Sequence, residues 1–181
     1  YQTIDAFNEA LSQYVESHPS LSFAPASHAT RNARHSGELL DADSMVMTGF
    51  ETMVREALHR FIAARSDLSY FRAPTQPARL NVWAVLMRES GHQIPHIHPT
   101  AWVSGVYYPL VPSWDEADGE AGSIEFGQFG REFPTKVKAP THAFLPHAGQ
   151  LVLFPSYLYH RTLPMVSDDL RISVAFDFTL A

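Results

Sequence analysis

The sequence predicts a mainly β domain with helices at its N-terminal end: two amphipathic helices, then an antiparallel β core built as a sandwich or barrel. Three observations lead there. Apolar residues recur at helical spacing twice before position 65 and not after it. From position 79 onward, short alternating or apolar runs follow one another between turn signals rich in Gly, Pro and Asp, the pattern of sandwiches and barrels. No helical pattern alternates with these runs, which disfavours a parallel α/β sheet. No repeat or linker divides the 181 residues. One domain over 1–181 is therefore expected, with 1–78 as helical support and loop and 79–181 as the β core.

Composition narrows the function classes. Thirteen Lys and Arg against nineteen Asp and Glu leave a net charge of −6 with no basic cluster, so no nucleic-acid partner is expected. No apolar run reaches the roughly 20 residues of a membrane-spanning helix and no signal peptide is visible, so no membrane partner is expected. The chain has no cysteine, so any metal must be held by nitrogen and oxygen donors. The lack of cysteine fits a reducing compartment, and a cytoplasmic location is expected. The first residue is Tyr1 rather than Met, which raises the expectation of a covalently attached upstream domain.

Taken in order, Ile4, Phe7, Leu11, Tyr14 and Val15 predict a helix over 3–16 with Thr3 as N-cap, ending before His18-Pro19. Residues 17–43 read as a long surface connection or a lid over a pocket. Phe50, Met53, Val54, Ala57, Leu58, Phe61 and Ile62 predict a second helix over 44–65, capped by Ser44, whose broad apolar face needs a sheet to cover. Arg79–Arg88 alternates as a strand, and Glu89-Ser90-Gly91 reads as a turn. A strand over His96–Leu110 follows, then an acidic loop over Ser113–Gly122 and a short strand at Ser123–Phe126. A further short strand is expected near 135–137, another at Gln150–Phe154, and the clearest at Arg171–Phe178.

The chemistry concentrates in Pro95-His96-Ile97-His98-Pro99. Two histidines one residue apart on an extended segment share a side, because a strand alternates with period 2. A third, His160, precedes a Pro-containing turn that leads back to the last strand, so the strands around it are expected to pair as a hairpin and bring His160 near Arg171. On that last strand Ile172, Val174, Phe176 and Phe178 fall on one face, and Arg171, Ser173, Ala175 and Asp177 on the other. A guanidinium facing an enclosed space needs an anion, and its fork suits a carboxylate. Three imidazoles fit non-haem iron or zinc, and spacing alone does not choose between them.

The runs Asn81-Val82-Trp83-Ala84, Gly91-His92, Pro95–Pro99, Ser104-Gly105-Val106-Tyr107-Tyr108, Gly149–Ser156 with His160, and Arg171–Phe176 together resemble those of the 2-oxoglutarate/Fe(II) oxygenases found alone or behind tetratricopeptide repeats. The resemblance covers about residues 79–178. It implies a double-stranded β-helix, or jelly roll, flanked by the two helices, with Fe(II) as metal and 2-oxoglutarate as co-substrate. It also implies hydroxylation of a C–H bond by dioxygen on an unknown peptide or small-molecule substrate. Carried over, His96 takes the first ligand position and His160 the distal one. Arg171 meets the far carboxylate of 2-oxoglutarate, with Ser173 and Tyr108 beside it. His98 departs from the family's usual His-x-Asp/Glu. Three arrangements stay open: iron takes a third imidazole; His98 stands behind a two-histidine site; or His98 is the first ligand and a distant carboxylate such as Glu125 supplies the oxygen. Trp83, Trp102, Tyr107 and Tyr159 are candidate pocket walls, and the Asp115–Glu120 loop a candidate lid. The alternatives are a three-histidine cupin-type metalloenzyme that does not use 2-oxoglutarate, and a non-catalytic metal- or ligand-binding jelly roll.

Overall fold

A computed structural model describes residues 1–71, 74–130, 132–133 and 136–180. Helix α1 spans Ile4–Ser17 and α2 spans Met45–Ala63, with Thr3 and Ser44 capping them through side-chain oxygens that accept from Ala6 N and Met47 N. Both caps satisfy a backbone donor that the first turn leaves without a partner. Phe7, Leu11 and Val15 of α1 and Phe50, Val54, Leu58 and Ile62 of α2 are buried against the sheet.

Among the described residues nine strands follow or interleave: β1 (Ser22–Phe23), β2 (Thr30–His35), β3 (Arg79–His96), β4 (Val103–Leu110), β5 (Ile124–Phe126), β6 (His142–Phe144), β7 (Gln150–Pro155), β8 (His160–Thr162) and β9 (Arg171–Thr179). All pairings are antiparallel, and the order is β6-β5-β8-β3-β9-β4-β7, with β2 also on β3 and β1 on β2. Strand β3 ties the two halves together. Met87 pairs with Ala33 of β2 and Arg171 of β9, while Gln93 pairs with Thr30 of β2 and Thr162 of β8. Strands β9 and β8 therefore use one edge of β3 in succession, and the sheet curls into the expected jelly roll.

One side of the roll carries the helices. Ile172, Val174, Phe176 and Phe178 of β9 are fully buried there with Leu80, Val82 and Ala84 of β3. The opposite face of β9 turns inward, as the alternation predicts. Gly105 of β4 lies across from Phe176, and a Cβ there would overlap the Phe176 ring and crowd Leu153. Gly105→Ala is expected to destabilise the protein by about 1–3 kcal/mol through overpacking, measurable as a lower urea midpoint; an unchanged midpoint would show that the ring yields freely.

Four local expectations are corrected. Residues 17–43 are not simply a loop or lid: they supply β1 and β2 to the sheet, so the N-terminal part is not purely helical support. Glu89-Ser90-Gly91 is no turn. The strand runs on through it, and the pairing with β2 jumps from His92 to Met87 while β2 moves only from Arg31 to Ala33. The excess is absorbed as a bulge with Ser90 at φ 62° and Asn32 at φ 49°. Strands β7 and β9 do not form a hairpin, because β4 lies between them. The strand expected near 135–137 begins at a position outside the described residues, and Lys136 and Val137 are not in a strand.

Candidate metal centre

The strand pairing that places the site is His96 opposite His160, on β3 and β8. The register slips between Gln93 and His96: three steps on β3 match two on β8, from Thr162 to His160. Pro95 lies in the slip and has no backbone N–H to give to the ladder. The extra residue reverses the alternation, so Gln93 and His96 both face the interior although an odd number of residues apart. His98 is not on a strand. β3 ends at His96 and β4 begins at Val103, so the expected single strand from His96 to Leu110 is broken. The backbone N–H of His98 instead donates to the Ser156 carbonyl at 3.0 Å, and Pro99 prevents the ladder from resuming.

The three imidazoles converge nevertheless. Ring centroids are 4.2 Å apart for His96 and His160, 5.1 Å for His98 and His160, and 5.3 Å for His96 and His98. Their potential ligand atoms lie within 4.8 Å of one another. Each Nδ1 already has a partner: the Ile94 carbonyl at 2.8 Å for His96, the Leu158 carbonyl at 3.0 Å for His160, and the Asp177 carboxylate at 2.7 Å for His98. Carbonyl and carboxylate oxygens accept, so each Nδ1 carries the proton and each Nε2 keeps a free lone pair. Burial pushes His96 down to about 4; the neighbouring His98 adds to this, while the Ile94 carbonyl and Asp177 oppose it. His160 is held well below its ordinary value, first by burial and then by His96 and His98. His96 and His160 are thus neutral at pH 7, as metal ligation requires. Glu125 is corrected as an alternative ligand: it is buried on β5 but accepts from Arg161 at 2.7 Å, away from the cluster.

The depressed His96 value has a consequence for the metal-free protein. The unfolded chain binds a proton near 6.5 and the folded chain only near 4, so the unfolded state gains protons first as pH falls. The stability linked to His96 is present above pH 6.5 and lost progressively toward pH 4, about 3 kcal/mol at 1.36 kcal/mol per unit. Urea midpoints at pH 7 and 4.5 check this. The drop is expected to shrink in His96→Gln, and an equal drop in both proteins would contradict it.

The rings open onto a small cavity of about 30 Å³, lined also by Gln93, Tyr108, Thr162, Arg171, Ser173 and Ala175. Among the described residues, none of 17–43 and none of 115–120 lines it. Arg171 is 1% exposed, yet its Nε has no hydrogen-bond partner and its Nη1 finds only the Met87 sulfur at 3.6 Å. Its guanidinium carbon sits 4.9 Å from the Tyr108 ring centre. Burial lowers the Arg171 pKa, with Tyr108 opposing, and burial raises the Tyr108 pKa, so that its hydroxyl keeps its proton. No carboxylate among the described residues pairs with Arg171. A buried cation in that condition is costly unless an anion joins it. Ser173 donates its hydroxyl to the Val85 carbonyl at 3.2 Å, so it faces the cavity as an acceptor.

Of the aromatic residues expected to line a pocket, Trp83 lies beside the centre, 5.6 Å from the His98 ring. Trp102 and Tyr107 are buried in the core shared with the helices, and Tyr107 donates to Asn8 of α1. Tyr159 donates to Glu132 and packs on Phe129 and Phe133. Sequence reasoning assigned no role to Asp177, Thr162 or Gln93. Alternation places Asp177 with Arg171 and Thr162 with His160, which is a usable signal. Gln93 enters through the Pro95 bulge alone, which no pattern announces.

These donors fit a catalytic rather than a structural metal. A structural zinc site closes with four protein ligands, whereas three converge here and the remaining side faces the cavity with the unpaired guanidinium.

Comparison with known proteins agrees with the geometry. The chain overlays a prolyl-4-hydroxylase of Pseudomonas putida at 17% identity, covering 98% of this chain and 88% of that one, with a TM-score of 0.66. HygX of Streptomyces hygroscopicus, solved with nickel and 2-oxoglutarate, overlays at 15% identity, 98% and 79% coverage and TM-score 0.63. The collagen prolyl hydroxylase of Paramecium Bursaria Chlorella virus-1, a 2-oxoglutarate complex, overlays at 12% identity, 90% coverage of that chain, 98% of this one, and TM-score 0.64. At these identities the likeness establishes the jelly-roll fold. No curated protein sequence matches. The family model described as "Putative 2OG-Fe(II) oxygenase" matches residues 81–177, a stretch that holds all three histidines, Arg171 and Asp177. The chain belongs to the 2OG-Fe(II) oxygenases.

Proposed function

We propose that this oxygenase hydroxylates a C–H bond of a peptide side chain or small metabolite, with His96, His98 and His160 as the iron ligands. Iron(II) and 2-oxoglutarate, when bound, supply the chemistry: decarboxylation to succinate and carbon dioxide is coupled to insertion of one atom of dioxygen into the substrate. The protein supplies the rest. The Ile94, Leu158 and Asp177 oxygens hold each ring with its Nε2 toward the ion. Arg171 takes the far carboxylate of the co-substrate, assisted by the protonated Tyr108 hydroxyl, with Ser173 alongside. The apolar flank of Val106, Ile124 and Phe154 keeps water from the reacting face.

One observation carries this reading: a fully buried guanidinium, orphaned at Nε, facing the same cavity as three converging imidazoles. A jelly roll that only bound metal, or a three-histidine enzyme without a diacid co-substrate, gives that guanidinium nothing to bind. No helix among the described residues is long and apolar enough to cross a membrane. The cysteine-free chain is read as working in the cytoplasm. The test is a screen of candidate peptides and metabolites for succinate release, read by mass spectrometry. Succinate formation coupled to a gain of one oxygen atom is the expected result; oxygen uptake without succinate would favour the three-histidine enzyme.

A further inference from the structure

The two carbonyls behind His96 and His160 are neutral, so neutral imidazoles alone would face a divalent cation on those two sides. Among the described residues, Asp177 is the carboxylate that touches the cluster, through His98. It does not stand alone. Ser104 Oγ lies 2.6 Å from Asp177 Oδ1 and 2.8 Å from Ser156 Oγ, and both serines are wholly buried. These distances fix the protons. An ionised carboxylate only accepts, so Asp177 receives the His98 Nδ1–H and the Ser104 O–H. Ser104, having given its one proton, accepts from Ser156. The 3.2 Å approach of Ser104 Oγ to His98 Nδ1 is the longer, secondary contact.

We propose that Asp177, held in place by Ser104 and Ser156, is a positioning residue that delivers negative charge to the iron through the His98 imidazole. A carboxylate on the far nitrogen makes an imidazole a stronger donor and sets which nitrogen faces the ion. It rests on the reading that three imidazoles hold the metal. The same arrangement explains why a histidine outside any strand is held firmly enough to ligate. Its backbone is tied to Ser156 and its ring to Asp177, from two segments otherwise far apart in the chain. Asp177 is placed by register, opposite Ser104 on β4 and Asn81 on β3.

The test uses Co(II) alone as probe, titrated into the metal-free protein and followed by its visible ligand-field absorption. Asp177→Asn keeps the shape and removes the charge. It is expected to raise the Co(II) dissociation constant about 10–100-fold and to shift the band of the saturated protein. Ser104→Ala is expected to move both in the same direction by less. The effect must run through His98: in a His98→Ala background, Asp177→Asn is expected to change Co(II) affinity less than about 2-fold, because the coupling partner is gone. Wild-type affinity and band position in Asp177→Asn would overturn the proposal. So would an equal loss in both backgrounds, which marks a merely structural residue. Failure of the wild-type protein to take up Co(II) would instead sink the three-imidazole reading, and this proposal with it.

Discussion

Replacing His160 with alanine is expected to strip the protein of its metal and to lower succinate formation about a thousandfold. A bound metal contributes several kcal/mol to the reaction it serves, and about 4 kcal/mol corresponds to a thousandfold in rate. His160 is the most buried of the three rings, at 6% exposure, and is packed against Phe126 and Phe154. It is also the strand partner of His96. The side chain therefore has no exposed alternative position, and no neighbouring donor replaces it: the nearest carboxylate on the adjoining strand, Glu125, is occupied by Arg161. Metal content after gel filtration and the succinate rate are the measurements. A variant that retains both at wild-type level would remove His160 from the site. Because truncation also leaves a cavity, the thermal midpoint of the metal-free variant is read beside them, and a folded, metal-free, inactive protein is the predicted outcome.

Arg171→Met is expected to raise the KM for 2-oxoglutarate by 10²–10³-fold while making the metal-free protein more stable. Each hydrogen bond from a charged donor is worth about 1.5–3 kcal/mol, and a two-pronged guanidinium–carboxylate contact loses both. The opposite sign for stability follows from the same observation. In the absence of co-substrate the guanidinium is buried without an anion and with an unsatisfied Nε. Replacing buried charge with an apolar side chain of similar length commonly gains about 1–4 kcal/mol, and Met87 across the strand pair provides an apolar neighbour. A protein that holds a destabilising cation for its ligand shows a trade-off of stability against function. Urea midpoints and 2-oxoglutarate-dependent succinate kinetics check both halves. An Arg171→Met protein that is less stable and still saturates normally would contradict the assignment.

The parts of this molecule that could be read from its sequence are those governed by local periodicity. The stripe Phe50–Ile62, the caps Thr3 and Ser44, and the inward face Arg171, Ser173 and Ala175 of β9 each follow from a period of 3.6 or 2 and a capping preference. Strand β2 carries no readable strand signal, because its six residues, Thr30–His35, are mostly polar and only Thr30 and Ala33 are buried. The Glu-Ser-Gly run at 89–91 carries the residues that a turn needs, and a bulge needs the same ones, here with Ser90 at positive φ. The histidine pair was found for a reason that holds only in part. His96 and His98 do share a side, but through a Pro95 bulge, the strand end and a backbone tie to Ser156 rather than along one strand. The contact of His98 with Asp177 spans 79 residues, and no local pattern reports such a pairing.

The most direct measurement is an anaerobic titration of the Fe(II)-loaded protein with 2-oxoglutarate, followed in the visible range. If the three imidazoles hold the iron beside a guanidinium that binds a diacid, a weak charge-transfer band grows in and saturates at one co-substrate per protein, and Arg171→Met weakens it. Iron-loaded wild-type protein that develops no band and shows no affinity for 2-oxoglutarate would contradict the account.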